Sequence, residues 1–483
     1  LECLTLNPQI KQKFKEYYKY VLVDEYQDTN SIQAQLVMAI TNDQHNITVV
    51  GDDSQSIYSF RGAHFENIIK FPDLFPNSHI VKLEQNYRST QPILDLTNAV
   101  IDCAQQKFTK QLFTQNEGEL KPQVVETTSD QEQSNFVTKK ILELREEGVS
   151  LTKIAVLIRS GWHSNDLEIQ LEAAGIPFVK MGGFKFVETS HVKDVVSYCK
   201  ILYNPLDVIS WTRILVLMEG CGPAAAKSIT TMITKNIQQL DQVSYAFKQK
   251  KFGASLSTLL NFVQQHLGKE IKPTQLLEGI MSIYEPLFKL KYDDFNKRQT
   301  DIESFIAISE RYKTLDIMLT EMSLDPPTDT QSDSIATDNE DEKLTLSTIH
   351  SAKGLEWHTV FLLSAIDGYL PSFQSLGDRV QMEEERRLLY VALTRAEQNL
   401  FIMKPNLDLA SSNYYKFSGM QFSKISRFLE EGQILENFTT QISPPDQKPK
   451  SKFSFPFDED MNDKDSDDDL YFSENKAPRK YYF

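Results

Sequence analysis

The sequence predicts an α/β protein: parallel sheets covered on both faces, a mostly helical insertion and a disordered acidic C-terminal tail. Three observations carry this. Short apolar runs alternate with helix-length segments up to about residue 180 and again from 344 to 403, the pattern of strands buried between helices. Strand signals are scarce from about 184 to 335. Beyond about 442, Pro, Lys, Ser and Asp dominate, and such a segment has too little apolar surface to order itself.

In chain order, "YVLVDE" (Tyr20–Glu25) reads as a buried strand running into two acids. "SIQAQLVMAI" (Ser31–Ile40) reads as a helix, with Asp28, Thr29 or Asn30 as its N-cap. "ITVVGD" is a second buried strand, "HFENIIKF" a short helix and "HIVKLEQN" (His79–Asn86) a third strand. The pattern then resets. "QPILDLTNAVIDCAQQ" and "SNFVTKKILELREEG" are helical, and "KIAVLIR" is a buried strand. "DLEIQLEAAGIPFVK" is a helix that stops at Gly175 and leads into a strand, after which Gly182-Gly183 reads as a hinge. An acidic linker, Pro326–Lys343, precedes the strands "LTLSTI" and "TVFLLSAI", and "MEEERRLLYVALTRAEQNLFIM" is a helix then a strand. The expected division is 1–84 as a first α/β portion, 85–182 with 342–442 as a second α/β domain, 183–341 as an inserted helical domain, and 443–483 as the tail.

The 483 residues are 40% hydrophobic, enough for several cores. No apolar run approaches the roughly 18 residues of a membrane span, so no membrane partner is expected. Net charge is -16, which taken whole argues against nucleic acid. The charge is uneven: Asp458–Asp469 holds eight acids and one Lys, a solvated block that can mask a basic groove elsewhere. Cys3, Cys103, Cys199 and Cys221 show no C-x-x-C spacing and no nearby ligand-like histidine pattern, so unpaired thiols in a reducing compartment are expected. The chain starts at Leu1 without a signal segment and reads as a portion of something longer.

The chemistry gathers at strand ends. Asp24 and Glu25 close the first strand, where open α/β sheets bind ligands. A metal-bound nucleotide needs one acid to hold Mg²⁺ and another to orient and deprotonate water; alone, such a pair more often caps the next helix. "VVGDDSQSIYSFRGA" (Val49–Ala63) also ends a strand in acids, places Gln55 to feel a terminal phosphate, and adds Tyr58, Phe60 and Arg61. Rings beside a cation suit stacked bases and a phosphate backbone. "LEQNYRST" supplies Tyr87 and Arg88; "LSTIHSAKGLEW" supplies His350, Lys353, Gly354 and Glu356; "EEERRLLYVALTRAE" supplies Arg386, Arg387 and Arg395. Any one block could be a core aromatic or a structural ion pair.

Together and in this order, the five blocks resemble motifs II to VI of the UvrD/Rep/PcrA-type DNA helicases of superfamily 1A, with "DEYQDTN" and "QSIY" the most specific matches. "GGFKFVETSHVKDVVSYCKILYNPLD" and "SRFLEE" resemble further family signatures, so the likeness reaches about Glu431. The resemblance implies RecA-like, P-loop NTPase-type motor domains, the first incomplete here, with ATP and Mg²⁺ between them and single-stranded DNA across their top. It implies that Asp24 coordinates Mg²⁺, Glu25 is the general base and Gln55 contacts the γ-phosphate. Tyr87 would stack on adenine, with Glu356 and Gly354 at the ribose. Arg88 and Arg395 would be paired arginine fingers, and Tyr58, Phe60, Arg61 and His350 would grip DNA. The implied activity is 3′–5′ unwinding in repair, replication or recombination, in the cytoplasm at the nucleoid. The implied partners are single strands, single-/double-strand junctions, the missing N-terminal part of the same protein, and a repair or replication protein at the acidic tail. The insertion would be the accessory domain, with "MEGCGPAAAKSI" (Met218–Ile229) as a duplex-phosphate hairpin, and Tyr414-Tyr415 would fall at the strand-separating hairpin.

Departures are specific. Phe60 stands where the family usually has Trp, Ser54 replaces a common Asp, Ala392 replaces a frequent Gly, and "RSGWHSN" (Arg159–Asn165) lacks the family's Asn- and Gln-bearing stretch. Motif I, G-x-x-x-x-G-K-[ST], is absent: the only Gly-Lys pair, Gly268-Lys269, is followed by Glu270. The chain alone is therefore expected not to hydrolyse ATP, and its first sheet to leave an exposed edge. Two rivals remain: a helicase-nuclease subunit of the RecB or AddA kind, which needs a nuclease domain after motif VI, and a non-catalytic split-helicase module that binds DNA or a partner.

Overall fold

A computed structural model describes residues 1–182, 185–235, 237–321, 342–406 and 424–442. Strands β1 (Val21–Val23) and β2 (Ile47–Val49) pair in parallel, as do β3 (Gln85–Asn86) and β4 (Phe113–Thr114). Then β5 (Gln123–Thr127), β6 (Ile154–Ile158), β7 (Phe178–Met181), β8 (Leu344–Thr348), β9 (Trp357–Leu362), β10 (Ala396–Pro405) and β11 (Thr440–Ile442) build one sheet. Its order is β11-β5-β10-β9-β6-β8-β7, and every pair is parallel.

Strand periodicity splits the core of this sheet into two layers. Val124, Ala155, Leu157, Val360 and Leu362 face helices Gln91–Asp102 and Arg379–Leu393; Val125, Ile154, Val156, Ile158 and Phe361 face helices Asp130–Glu146 and Asn165–Ala173. Each fully buried aliphatic side chain contributes roughly 1.5–3 kcal/mol, so this sheet anchors the α/β part. Gly175, at φ +65°, ends the helix Asn165–Ala173 as expected, and Ile176 N–H returns to the Leu171 carbonyl at 2.9 Å.

The N-terminal portion is thinner. Its buried cluster is Tyr26, Ile68, Phe71 and Phe75, while Ile57 inserts into the core of the large sheet. Asn30, one of the three expected caps, starts the helix Ser31–Ile40 through a reciprocal capping box with Gln33. Three expectations need correction. "ITVVGD" forms a strand, but not a buried one: Thr48 is exposed and Val50 is 51% exposed. The strand within "YVLVDE" is not buried: with β2 as its one neighbour among the described residues, it leaves Leu22 77% exposed. "HIVKLEQN" is not a strand of the first sheet: only Gln85–Asn86 pairs, and it pairs with β4. No β1–β2 edge receives it, and Ile80, Val81 and Leu83 stay exposed.

The segment between β7 and β8 is helical, as expected. Its helices, among them Ser190–Tyr203, Val208–Leu215, Gly253–His266, Pro273–Lys291 and Phe295–Ser309, close around Trp211, Leu259, Tyr284 and Phe305. Within that core Asp194, 0% exposed, accepts hydrogen bonds from Arg213 Nε (2.7 Å), Lys291 Nζ (2.9 Å), Tyr284 Oη (2.9 Å) and Tyr292 Oη (3.1 Å). All four cysteines are free thiols. Among the described residues no helix is long and apolar enough to cross a membrane. Gly183, most of the acidic linker, Tyr414, Tyr415 and the tail from 443 lie outside the described residues. Leu1–Ser443 make up one compact unit.

Candidate nucleotide and nucleic-acid site

The parallel pairing of β1 and β2, Val23 against Val49, sends the following acidic loops out of the same sheet end. Asp24 Oδ1 accepts the Glu25 N–H at 2.8 Å. Glu25 sits at φ +50°, a left-handed conformation that a non-glycine residue adopts only when its surroundings impose it, and which clusters at functional sites. Beside it is Gln27, fully buried. Its Nε2 donates to Glu25 Oε2 at 2.5 Å, and its Oε1 accepts the Asp52 N–H at 3.1 Å. This bridge needs a glycine beside it: a Cβ on Gly51 would lie 2.4 Å from Gln27 Oε1. Asp52 in turn receives the Gln55 amide on Oδ2 at 2.9 Å. Burial would raise the Asp52 carboxyl, but Lys110, the Gln55 amide and the Ser54 N–H together hold it below its ordinary value.

Two lysines from the large α/β part reach these acids. Lys353, just past β8, donates to Asp28 Oδ2 (2.6 Å) and the Gln55 carbonyl (2.9 Å), lies 3.6 Å from Glu25 Oε2, and stands 5.1 Å from the Tyr58 ring centre. Burial pushes the Asp28 carboxyl up and Lys353 pulls it part-way back. Asp28 Oδ1 is buried with no partner. Lys110 pairs with Asp52 and lies 3.8 Å from Asp53 Oδ1.

Two arginines follow β3 and precede β10. Arg88 donates from Nε to Glu356 Oε2 at 2.5 Å and from Nη1 to the Thr394 carbonyl at 3.2 Å. Arg395, 1% exposed, donates to the carbonyls of Val391 (3.1 Å) and Leu355 (3.0 Å) and to Thr394 Oγ1 (3.0 Å). Burial first, then neighbouring Arg88, pushes the Arg395 guanidinium down to about 10, while Tyr390, Asp52 and Glu356 act the other way. Lys110, which pairs with Asp52, stands 5.8 Å from the ring centre of Tyr390 on the helix that leads to Arg395, and Lys353, which pairs with Asp28, lies three residues before the Glu356 that holds Arg88. Tyr87, 78% exposed, lines an open cleft of about 370 Å³ there with Gln85, Asn86, Arg88 and Glu356. Gly354, at φ +86°, turns the chain between Lys353 and Glu356. Arg386 and Arg387 brace the frame: Arg386 pairs with Glu431 (2.8 Å), and Arg387 donates to the Ser56 carbonyl (2.9 Å) and covers the Phe65 ring.

Tyr58, Phe60, Arg61 and His350 are brought together. Tyr58 Oη donates to the His350 carbonyl at 3.0 Å, the Phe60 and His350 rings meet edge-to-face at 5.3 Å, and Arg61 lies 5.3 and 5.5 Å from the Tyr58 and Phe60 ring centres. Phe60 is 64% exposed. Burial, then the charges of Arg159 and Arg61, lowers His350 from 6.5 to about 4, and His163 falls likewise to about 3. A histidine held neutral by the fold stabilises it fully above the unfolded value and progressively loses that contribution as pH falls towards the folded value. The urea midpoint should therefore drop as pH falls from 6.5 to about 4, and His350→Gln should flatten part of that drop. An unchanged pH profile in the variant would remove His350 as a cause.

Two family models match the chain: the UvrD/REP helicase N-terminal domain over residues 1–76 and the UvrD-like helicase C-terminal domain over residues 81–406. The chain belongs to the UvrD-like helicase family. This UvrD-like helicase chain is similar to the ATP-dependent DNA helicase PcrA of Staphylococcus epidermidis, 33% identical over 477 residues, 92% of this chain and 63% of that protein. The PcrA of Bacillus subtilis is 32% identical over 449 residues, 89% of this chain and 60% of that protein. The UvrD-like chain thus spans about three fifths of the length of these relatives. Gln27, Asp52 and Lys110 belong to the site but were not among the expected residues. Gln27 and Asp52 lie inside the quoted blocks, whereas nothing in "QQKFTKQL" marks Lys110.

Proposed function

We propose that this chain supplies the motor crevice, all but its phosphate loop, of an ATP-dependent DNA helicase that tracks 3′ to 5′ on single strands and opens junctions. One juxtaposition supports the reading: Lys110 pairs with Asp52, after β2, and stands 5.8 Å from the ring centre of Tyr390 on the helix that leads to Arg395, while Lys353 pairs with Asp28, after β1, three residues before the Glu356 that holds Arg88. In this reading Asp24 holds Mg²⁺, Glu25 takes a proton from water, the Gln55 amide senses the terminal phosphate, and the two guanidiniums face the charge that develops there. Tyr87 offers a ring for the base and Glu356 a carboxylate for the ribose once it parts from Arg88. The carboxylate oxygens fit Mg²⁺, which takes one or two protein carboxylates together with phosphate oxygens; bound with the nucleotide, it neutralises phosphate charge. The proposed divisions are 1–84, 85–182 with 342–442, and 183–341. The first carries the acids, the second the arginines, and the third is a helical accessory domain.

No G-x-x-x-x-G-K-[ST] occurs in the 483 residues, and this favours a second reading, a DNA-binding module that is not catalytic by itself. Both readings require DNA binding. Fluorescence anisotropy with a labelled oligothymidylate should give an affinity that falls with salt and weakens about tenfold in Phe60→Ala, the usual scale of one lost base stack. No binding, or binding indifferent to Phe60, would remove both. The coding sequence upstream of Leu1 separates them: an in-frame phosphate-loop motif supports the motor, and its absence from a complete gene supports the module. If the motor stands, the gene's full product should open 3′-tailed but not 5′-tailed duplexes.

A further inference from the structure

The helix Arg379–Leu393 ends two residues before Arg395 and lies against the segment from Ser56 to Phe65. Glu384 and Arg387 are three residues apart on it, so their side chains leave one face. Arg387 takes the two ends of the segment. Its Nε donates to the Ser56 carbonyl at 2.9 Å, and its guanidinium lies 4.3 Å from the Phe65 ring centre. Glu384 takes the middle. Its Oε1 accepts the Ser59 N–H at 3.0 Å, and its Oε2 accepts the Ser59 hydroxyl. One carboxylate thus engages both donors of a single residue.

Ser59 opens the short turn Ser59–Arg61, which presents Phe60 and Arg61. The turn closes on itself: the Arg61 N–H returns to the Tyr58 carbonyl at 2.9 Å, and the Gly62 N–H to the Ser59 carbonyl at 2.8 Å, with Gly62 at φ +85°. Among the described residues, two hydrogen-bonded ties join Tyr58–Arg61 to the large α/β part. Tyr58 Oη, bonded to the His350 carbonyl at 3.0 Å, fixes the residue before the turn; Glu384 fixes the turn itself. Glu384 is half-buried and Ser59 is exposed, so the contact fills no core. A carboxylate beside a surface that receives a polyanion opposes binding by its charge. Whatever Glu384 contributes to binding must therefore come through the position of the turn.

We propose that Glu384 is a positioning residue for single-stranded DNA: by holding both donors of Ser59 it fixes the turn that presents Phe60 and Arg61, and ties that turn to the helix that leads to Arg395. This rests on the DNA-binding reading above. Glu384 acts through Ser59, and the gain is preorganisation: a ring already held in one orientation is not ordered at the expense of binding.

The test reads oligothymidylate affinity by fluorescence anisotropy, with urea midpoints run alongside. Charge alone predicts that Glu384→Ala binds as well as the wild type or better. Positioning predicts the opposite sign: Glu384→Ala should weaken binding several-fold, up to about the tenfold of one lost base stack. Glu384→Gln removes the same charge, but its amide can accept the Ser59 N–H and donate to the Ser59 oxygen. It should bind within about twofold of the wild type, or more tightly. On a Phe60→Ala background the loss from Glu384→Ala should shrink, because one of the two groups it places is gone. Should Glu384→Ala lower the urea midpoint, Ser59→Ala, at an exposed residue, deletes one of the two contacts and must still weaken binding. Any of three results overturns the positioning role and leaves the DNA reading intact: Glu384→Ala affinity undiminished, a Glu384→Gln loss equal to that of Glu384→Ala, or a loss unchanged on the Phe60→Ala background. Wild-type protein that does not bind the oligothymidylate overturns both.

Discussion

Mixed with ATP, Mg²⁺ and excess single-stranded DNA, the 483-residue chain should release no more phosphate than a protein-free control, while still retaining the DNA. The expectation follows from charge as much as from the missing motif. Asp24, Glu25, Asp28, Asp52 and Asp53 crowd the sheet end where a triphosphate would enter, and the two lysines that reach them are already engaged, Lys353 with Asp28 and Lys110 with Asp52. A phosphate loop meets four negative charges with a row of backbone N–H groups and a free lysine, and neither is encoded in this sequence. The arginine pair cannot substitute. Arg88 is held by Glu356, and every nitrogen of Arg395 donates to protein oxygens. Phosphate release is the measurement. DNA-stimulated turnover on the order of 1 s⁻¹, within the ordinary enzymatic range, would overturn the expectation and place a phosphate cradle somewhere the sequence does not signal.

The second large effect lies in the helical insertion. Asp194→Ala should lower the stability of that core by about 3–4 kcal/mol. The change leaves the Tyr284 hydroxyl buried without an acceptor, on the order of 1–3 kcal/mol by itself, and removes charge-assisted hydrogen bonds from Arg213 and Lys291. Those cations are 34% and 38% exposed and regain water, which keeps the loss below the cost of stranding a fully buried charge. Lys291→Met, which leaves Asp194 three partners, should cost under about 1 kcal/mol. Urea unfolding followed by Trp211, with Trp162 and Trp357 replaced by Phe, reads this core directly. Equal losses from both variants would show that Asp194 is not the hub its contacts describe.

Much of this was legible in the sequence, because the strands of the large sheet are buried on both faces and so read as apolar runs. "KIAVLIR" and "LTLSTI" became β6 and β8 nearly as bounded. "YVLVDE" misled for the converse reason: apolar composition says a strand seeks cover, not that cover is present, and Leu22 is exposed. The grouping of Tyr58, Phe60, Arg61 and His350 was foreseen through the family resemblance of the blocks that carry them. Gln27 was not, since a buried glutamine that props a left-handed glutamate has no sequence signature beyond its neighbours. Lys110 was missed because its partners, Asp52 and Asp53, are some sixty residues away, and only the docking of the N-terminal portion against the large sheet brings them together.

The strand order has a consequence for how the protein is made. β5, β6 and β7 precede the helical insertion, and no two of them are neighbours: each pairs only with β8, β9, β10 or β11, all synthesised after it. While the ribosome works through the insertion, three strands, β6 apolar throughout, wait outside it without a single hydrogen-bonded partner. Contacts so distant along the chain form slowly, and exposed strand edges invite wrong pairings meanwhile. The helical insertion, which closes around its own core, can settle first, so a finished helical body is tethered to an α/β part that stays incomplete until its last strands emerge.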